Sequence, residues 1–389
     1  MTATSDLGRL LSATADLETP LGIVDEAALW ANADDLVRRA AGVPIRVASK
    51  SVRIRGVLEQ VLARPGFAGV MSYSLAESVW LVDHGVDDVL LAYPTTSAQG
   101  LRDLVADDRR RAAITLMVDS TEHLDLIDRV LGPDHPSIRV CLDVDSSLRI
   151  GPIHLGVRRS PVHTPRQAGR VARDVATRRG FDLVGVMFYD AQIAGLQDTS
   201  PAIRLVKQQS ARDLASRRTR VVEAVRQHAD LELVNAGGTG SLEVTGADPV
   251  VTELTAGSGL FVPTLFDGYD AFHARPAAFY ALSVVRRPTR DVATLFSGGY
   301  AASGPAGDSR TPTPTWPEGL SLIGTEGAGE VQTPVKGAAA RDLRVGDRVL
   351  MRHAKSGEPF ERFDTVAVVA ADGTVTTTPT YRGEGKNFG

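Results

Sequence analysis

The sequence predicts an α/β fold: a (β/α)8 TIM-type barrel followed by a second, C-terminal β domain. Three observations carry this expectation. Short apolar runs alternate with helical stretches up to about residue 275, at the length and rhythm of a barrel of ~250 residues. After that point the texture changes to β-rich runs with turn signals. Finally, an early apolar run, Pro44 to Arg53 (PIRVASKSVR), ends abruptly at one lysine, Lys50. A doubly wound open sheet is the competing arrangement, since spacing alone does not distinguish the two.

Taken in order, residues 1–18 form a weakly amphipathic lead. Thr19-Pro20 opens an extended segment, Leu21 to Val24, and Asp25 caps a helix from Glu26 to Ala40. After Lys50 come a helix (Ile54 to Ala63), the strand Gly69 to Tyr73, a helix (Ala76 to Asp83) and DDVLLAYP (Asp87 to Pro94). Helices near Ser97–Ala106 and His123–Leu131 precede the strands Ala112 to Asp119 and Ser137 to Asp145. Thr164–Arg179 precedes Asp182 to Asp190, and a long charged helix, Ile203 to Ala229, precedes Leu231 to Gly238. Val250 to Phe261 closes the series. The expected boundaries are a barrel over 19–275 and a β domain over 276–389, to which residues 1–18 join. Inside the latter, GPAGDSRTPTPTWPEG reads as a loop, because its prolines remove backbone donors.

Composition excludes several classes. Hydrophobic residues make up 43% and charged residues 23%, which is ordinary globular material. A net charge of −4 leaves no basic footprint for nucleic acid. The single cysteine, Cys141, lies in an apolar run, so neither a disulfide framework nor a cysteine zinc cluster is expected. There is no secretory signal pattern and no run approaching ~18 apolar residues, so a soluble cytoplasmic protein without membrane partners is expected.

The candidate chemistry falls where a barrel brings strand ends together. Lys50 follows the first strand; taken alone, it also suits a strand-end lysine reaching for water. Asn235-Ala236-Gly237-Gly238-Thr239-Gly240-Ser241 follows a late strand, and small residues there let backbone amides approach an anion. Thr255-Ala256-Gly257-Ser258-Gly259 is a second such turn, placed to close on the same phosphate; both also read as plain tight turns. A lysine amine with a phosphate cradle suggests pyridoxal phosphate, whose aldehyde an amine holds as a Schiff base.

On these residues the chain resembles the fold-type III pyridoxal-phosphate enzymes of the alanine racemase type. It is more similar to their D-threonine aldolase and D-serine dehydratase branch, often labelled amino acid deaminase/aldolase. Thr19-Pro20 with Asp25 and Asn32, Lys50, Asp87 to Pro94, DVDSSLRIG (Asp143 to Gly151), Gly237-Gly238-Thr239-Gly240 and Ala256-Gly257-Ser258 appear in that branch's order. The resemblance implies that Lys50 carries the cofactor and acts as acid or base at Cα. It implies that Arg149 donates to the cofactor's phenolic oxygen, that Tyr189 lies near the cofactor, and that Gly238, Thr239, Gly240, Gly257 and Ser258 hold the phosphate. A salt bridge with Asp143 or Asp145 is the plainer role for Arg149, and packing alone for Tyr189. A homodimer is also implied, with one β domain completing the partner's site.

The chain departs from that branch in one place. The branch pairs a histidine with an aspartate or cysteine two residues later as metal ligands; here the segment reads Arg352-His353-Ala354-Lys355. An ammonium offers no lone pair, so a divalent metal is disfavoured unless Glu358, Glu361 and Asp364 rebuild a site. Lys355 is expected to occupy the metal's electrostatic place with His353 as proton shuttle, or else to pair with Glu358 or Glu361. The expected activity is retro-aldol cleavage of a D-β-hydroxy-α-amino acid. Dehydration, racemisation and a non-enzymatic cofactor carrier are the alternatives. His154 and His163 are expected in solvent, and the tail Tyr381 to Phe388 is either a free end or packed near the site.

Overall fold

The computed structural model describes residues 3–389, with side chains described from residue 7. Its strands are β1 (Leu21–Asp25), β2 (Ile45–Ala48), β3 (Phe67–Ser72), β4 (Val89–Leu91), β5 (Ile114–Val118) and β6 (Ile138–Asp143). A small hairpin, β7 (Leu148–Ile150) and β8 (Ile153–Leu155), precedes β9 (Phe181–Phe188), β10 (Leu233–Ala236) and β11 (Glu253–Ala256). Beyond them lie β12 (Ala278–Thr289), β13 (Val292–Phe296), β14 (Thr313–Trp316), β15 (Ser321–Leu322), β16 (Gln332–Lys336), β17 (Arg348–Arg352), β18 (Thr365–Val369) and β19 (Val375–Pro379).

Strands β2, β3, β4, β5, β6, β9, β10 and β11 close into a parallel barrel, with β11 pairing back onto β2. The predicted alternation is therefore present, and the open sheet is excluded by that closure. Helices cover the outside because their apolar faces need burial against it. The helix Glu26–Ala40 does so through Leu29, Ala33 and Leu36, and starts at Asp25, whose carboxylate accepts from Ala28 N at 3.1 Å. The lumen is filled by Leu90, Met117, Cys141, Met187 and Leu233. Arg46 enters from β2 and is clamped by Asp88 and Glu253, each at 2.8 Å, so charge inside the barrel is paired.

The remaining strands form a separate nine-stranded sheet. Leu21–Asp25, grouped by sequence with the barrel, belongs to this sheet instead. It lies between β12, antiparallel, and β18, parallel. All five of its residues are buried, which a strand covered on both faces requires. The first helix, Ala3–Ala13, packs Leu10 against Leu21, Ile23 and Leu350 on the same sheet. The chain thus starts in the second domain, crosses to the barrel, and returns after β11. Among the described residues no helix is long and apolar enough to cross a membrane.

Candidate active site

The carboxyl ends of the barrel strands surround a cavity of about 220 Å³. Strand β2 stops at Ala48 and the chain makes one 3₁₀ turn, Ser49–Ser51, that projects Lys50 into it. Arg53 follows with φ of 54° and donates from Nε to the Lys50 carbonyl at 3.1 Å. The Lys50 ammonium donates to Tyr93 Oη at 2.7 Å. Burial alone would raise the Tyr93 phenol, but Lys50, Arg159 and Lys355 outweigh it and bring the group below its ordinary value. Tyr93 stands at the end of DDVLLAYP. Its strand-end position was the available signal, and the sequence reading assigned it no role.

Gly238, Thr239, Gly257 and Ser258 all line the cavity, so the two small-residue turns converge as expected. Thr239 Oγ1 accepts from Gly259 N at 3.1 Å and lies 3.3 Å from Ser258 Oγ, which ties one turn to the other. From behind, Asp190 takes the hydroxyls of Ser241 and Thr245 at 3.0 and 2.6 Å. Burial raises this carboxyl above its ordinary value, against those hydrogen bonds. Gly240 stands away from the cavity wall. A Cβ there would lie 2.4 Å from the Ala194 carbonyl oxygen, so its smallness serves packing of the turn. Asn235 and Thr255, the first residues of the two candidate anion-binding turns, also line the cavity, joined by an Asn235 Nδ2 to Thr255 Oγ1 bond of 2.8 Å.

Tyr189 faces the cavity. The arginine beside it is Arg159, whose guanidinium carbon lies 5.0 Å from the Tyr189 ring centre and 5.6 Å from that of Tyr93. Arg149 is not at this cavity. It projects from the β7–β8 hairpin, is exposed, and forms an ion pair with Asp145, the plainer of its two expected roles. The hairpin explains the difference: it carries the chain outward after β6, and the chain returns to the mouth ten residues later in sequence.

The second domain supplies the remaining wall, including Lys355, Ser356 and Glu358. Lys355 Nζ donates to Ser303 Oγ at 2.7 Å, and Glu358 accepts from Ser303 N at 2.8 Å. Burial lowers the Lys355 ammonium below its ordinary value, and the charge of nearby Lys50 adds to this while Glu358 opposes it. His353 does not line the cavity. It is 2% exposed, and its Nε2 lies 3.5 Å from Ser356 Oγ. Burial, then the charge of Arg352, pushes it down to about 3, and its ring contacts Ser356 behind the cavity wall instead of the cavity itself. Glu361 is held by Arg53 and Asp364 by Arg382. Among the described residues no group of three or more His, Cys, Asp or Glu is arranged to hold a metal ion. His163, expected in solvent, is half-buried on the Ser147 carbonyl at 3.1 Å; His154 lies 3.1 Å from the Val157 carbonyl.

Residues 24–263 match the family described as alanine racemase, N-terminal domain. The chain is 24% identical to a D-threonine aldolase of Arthrobacter sp over 369 residues, 93% of this chain and 91% of that one. The structure of D-threonine aldolase from Filomicrobium marinum superposes with a TM-score of 0.79 at 21% identity, covering 95% and 96% of the two chains. D-threo-3-hydroxyaspartate dehydratase from Delftia sp. HT23 gives 0.73 at 20% identity over 94% and 97%. The family match spans the whole of the barrel, Lys50 and both turns included, and on it this chain belongs to the alanine racemase N-terminal domain family.

Proposed function

We propose that this protein is a pyridoxal 5′-phosphate-dependent lyase that cleaves a β-hydroxy-α-amino acid, of D configuration, into an aldehyde and a smaller amino acid. The family implies the cofactor, and the donor set fits it. Lys50 offers an amine to the cavity. The backbone N–H groups of Thr239 and Ser258 open short helical turns and find no acceptor among the described residues, so they suit a phosphate. A side chain at Gly257 would lie 2.6 Å from the Ala48 carbonyl oxygen, so the turn has been kept bare where it closes on the lysine strand.

When bound, the cofactor supplies an electron sink for the pair released at the substrate's α-carbon. The protein's own groups do the rest. Lys355, held below its ordinary value, accepts the β-hydroxyl proton as the Cα–Cβ bond breaks and the Cβ=O bond forms. Lys50 returns a proton to Cα, with Tyr93 as its hydrogen-bonded partner. Arg159 has no carboxylate within ion-pair distance among the described residues and is free to hold an anionic oxygen of the bound molecule.

The observation that carries this reading is that Lys50 and Lys355 line one cavity with both small-residue turns. Its relatives named above act on D-amino acids bearing a β-hydroxyl, which supports the substrate class. The test is to load the protein with cofactor and offer D- and L-β-hydroxy amino acids while following products. Glycine plus aldehyde supports cleavage. Keto acid plus ammonia replaces it with dehydration, inverted substrate with racemisation, and bound cofactor without turnover with a carrier. The expected homodimer is checked by sedimentation of the same preparation.

A further inference from the structure

We propose that Tyr381 and Glu77 are positioning residues for Lys50, through which the C-terminal segment sets where the amine points; this rests on the reading of Lys50 as the cofactor-bearing residue. Tyr381 is 1% exposed and hydrogen-bonds on either side of the lysine turn, to Arg53 and to Glu77. Its backbone N–H donates to the Arg53 carbonyl at 2.9 Å, on the far side of Lys50. Its hydroxyl donates to Glu77 Oε1 at 2.9 Å beside Ser49, the residue before Lys50, whose own hydroxyl donates to the Met71 carbonyl at 3.1 Å. Lys50 is therefore bracketed by one residue from the far end of the chain.

The arrangement is costly if packing were its only purpose. Glu77 is fully buried, and its other oxygen accepts only from Tyr73 N at 2.8 Å. The nearest guanidinium, Arg53, is taken up by Glu361. A buried carboxylate without its own cation is disfavoured against an apolar side chain of the same size. Burial raises it to about 7, and the hydrogen bonds from Tyr73 and Tyr381 work against that rise. What the carboxylate does accomplish is to join the end of β3 to the tail by directional bonds that a packed methyl group lacks, while the tail's own N–H reaches Arg53 just beyond the lysine turn.

Other contacts keep Tyr381 in place without touching the lysine turn. Trp80 meets the Tyr381 ring edge-on at 5.0 Å and Phe388 at 5.4 Å. Arg55 forms an ion pair with Glu384. The Arg55–Glu384 pair provides the control, because it ties the tail down without involving Glu77 or the Tyr381 N–H and hydroxyl bonds.

The experiment uses the full-length holoenzyme. Wild type, Tyr381→Phe and Arg55→Gln are compared for cofactor affinity, the pH midpoint of the bound cofactor's absorbance, thermal stability, kcat and KM. Tyr381→Phe is expected to shift the absorbance midpoint and lower kcat by about tenfold with KM little changed, the signature of a misplaced reacting group. Arg55→Gln is expected to lose stability while keeping the wild-type midpoint and kcat. Should Tyr381→Phe not yield folded protein, Glu77→Gln carries the same expectation. An unchanged midpoint and kcat alongside a lower Tm in Tyr381→Phe would overturn the proposal and leave a packing role. Wild-type protein that takes up no cofactor would overturn the reading of the site, and this inference with it.

Discussion

Tyr93 Oη lies 2.7 Å from Lys50 Nζ, and these two groups come from neighbouring regions of one barrel mouth that are 43 residues apart in sequence. The phenol is the acceptor and is drawn below its ordinary value by the surrounding cations. Tyr93→Phe removes that acceptor at little cost in volume. We expect kcat to fall by about 10²-fold, the scale of a lost acid–base partner. Steady-state rates on the cofactor-loaded variant check this; a wild-type rate would reduce Tyr93 to a packing residue.

Two arginines compete for one role, and a pair of substitutions separates them. Arg159→Ala is expected to weaken cofactor or substrate binding by about 10- to 100-fold, as for a lost charged hydrogen bond. Arg149→Ala removes the cation paired with the buried Asp145 carboxylate, which keeps its hydrogen bonds from Ser147, and is expected to cost about 1–3 kcal/mol of stability while leaving cofactor and substrate binding unchanged. Equilibrium titration of both variants with cofactor and substrate measures the contrast.

Lys355→Met keeps the length of the side chain and removes the base. Because the wild-type ammonium is held low by burial, wild-type kcat is expected to rise with pH as Lys355 loses its proton. That limb is expected to vanish in Lys355→Met, with kcat reduced about 10²-fold. Activity is also expected to survive chelation; strict dependence on a divalent ion would refute the assignment.

Stability is expected to depend on pH through two buried groups with opposite signs. His353 is pushed down to about 3, so between that value and about 6.5 the unfolded chain binds the extra proton. Its contribution is intact above about 6.5 and is lost as pH falls. Glu77, raised to about 7, works the other way: its contribution is intact below about 4.5 and fades as pH rises to 7. Denaturant titrations from pH 4 to pH 8 are expected to show His353→Asn flattening the acid side and Glu77→Gln flattening the neutral side.

Gly257→Ala puts a methyl 2.6 Å from the Ala48 carbonyl oxygen and 3.0 Å from Ser51 Cβ. The strand end cannot yield without moving the Lys50 turn. Destabilisation of about 1–3 kcal/mol is expected, with weaker cofactor binding in the same variant. Thermal melts with and without cofactor separate the two effects.

Much of the fold was legible in the sequence because most barrel strands are short, largely buried runs, several of them followed by helices with their own caps. Ser74, Ser97 and Thr164 cap helices at 3.3, 3.1 and 3.2 Å, which is local chemistry that spacing can reveal. The first strand was misplaced because Leu21–Asp25 is equally apolar whether it pairs in the barrel or with β12 and β18. Arg149 was assigned from the resemblance, and Arg159 was given no role. Both are arginines after β6, and only the hairpin between them decides which one faces inward.

The sequence by itself determined the alternation of short strands and helices, the lysine at the end of the strand Ile45–Ala48, and the small-residue turns after the last two strands of that series. These are set by local hydrophobic pattern and backbone freedom, which act over a few residues. Tertiary structure alone decided that the strands close into a barrel, that Tyr93 meets Lys50, that Arg159 and not Arg149 faces the cavity, that His353 is sealed away, and that Tyr381 reaches Arg53 and Glu77. Each of those depends on where distant segments cross in space, and no periodicity along the chain encodes that.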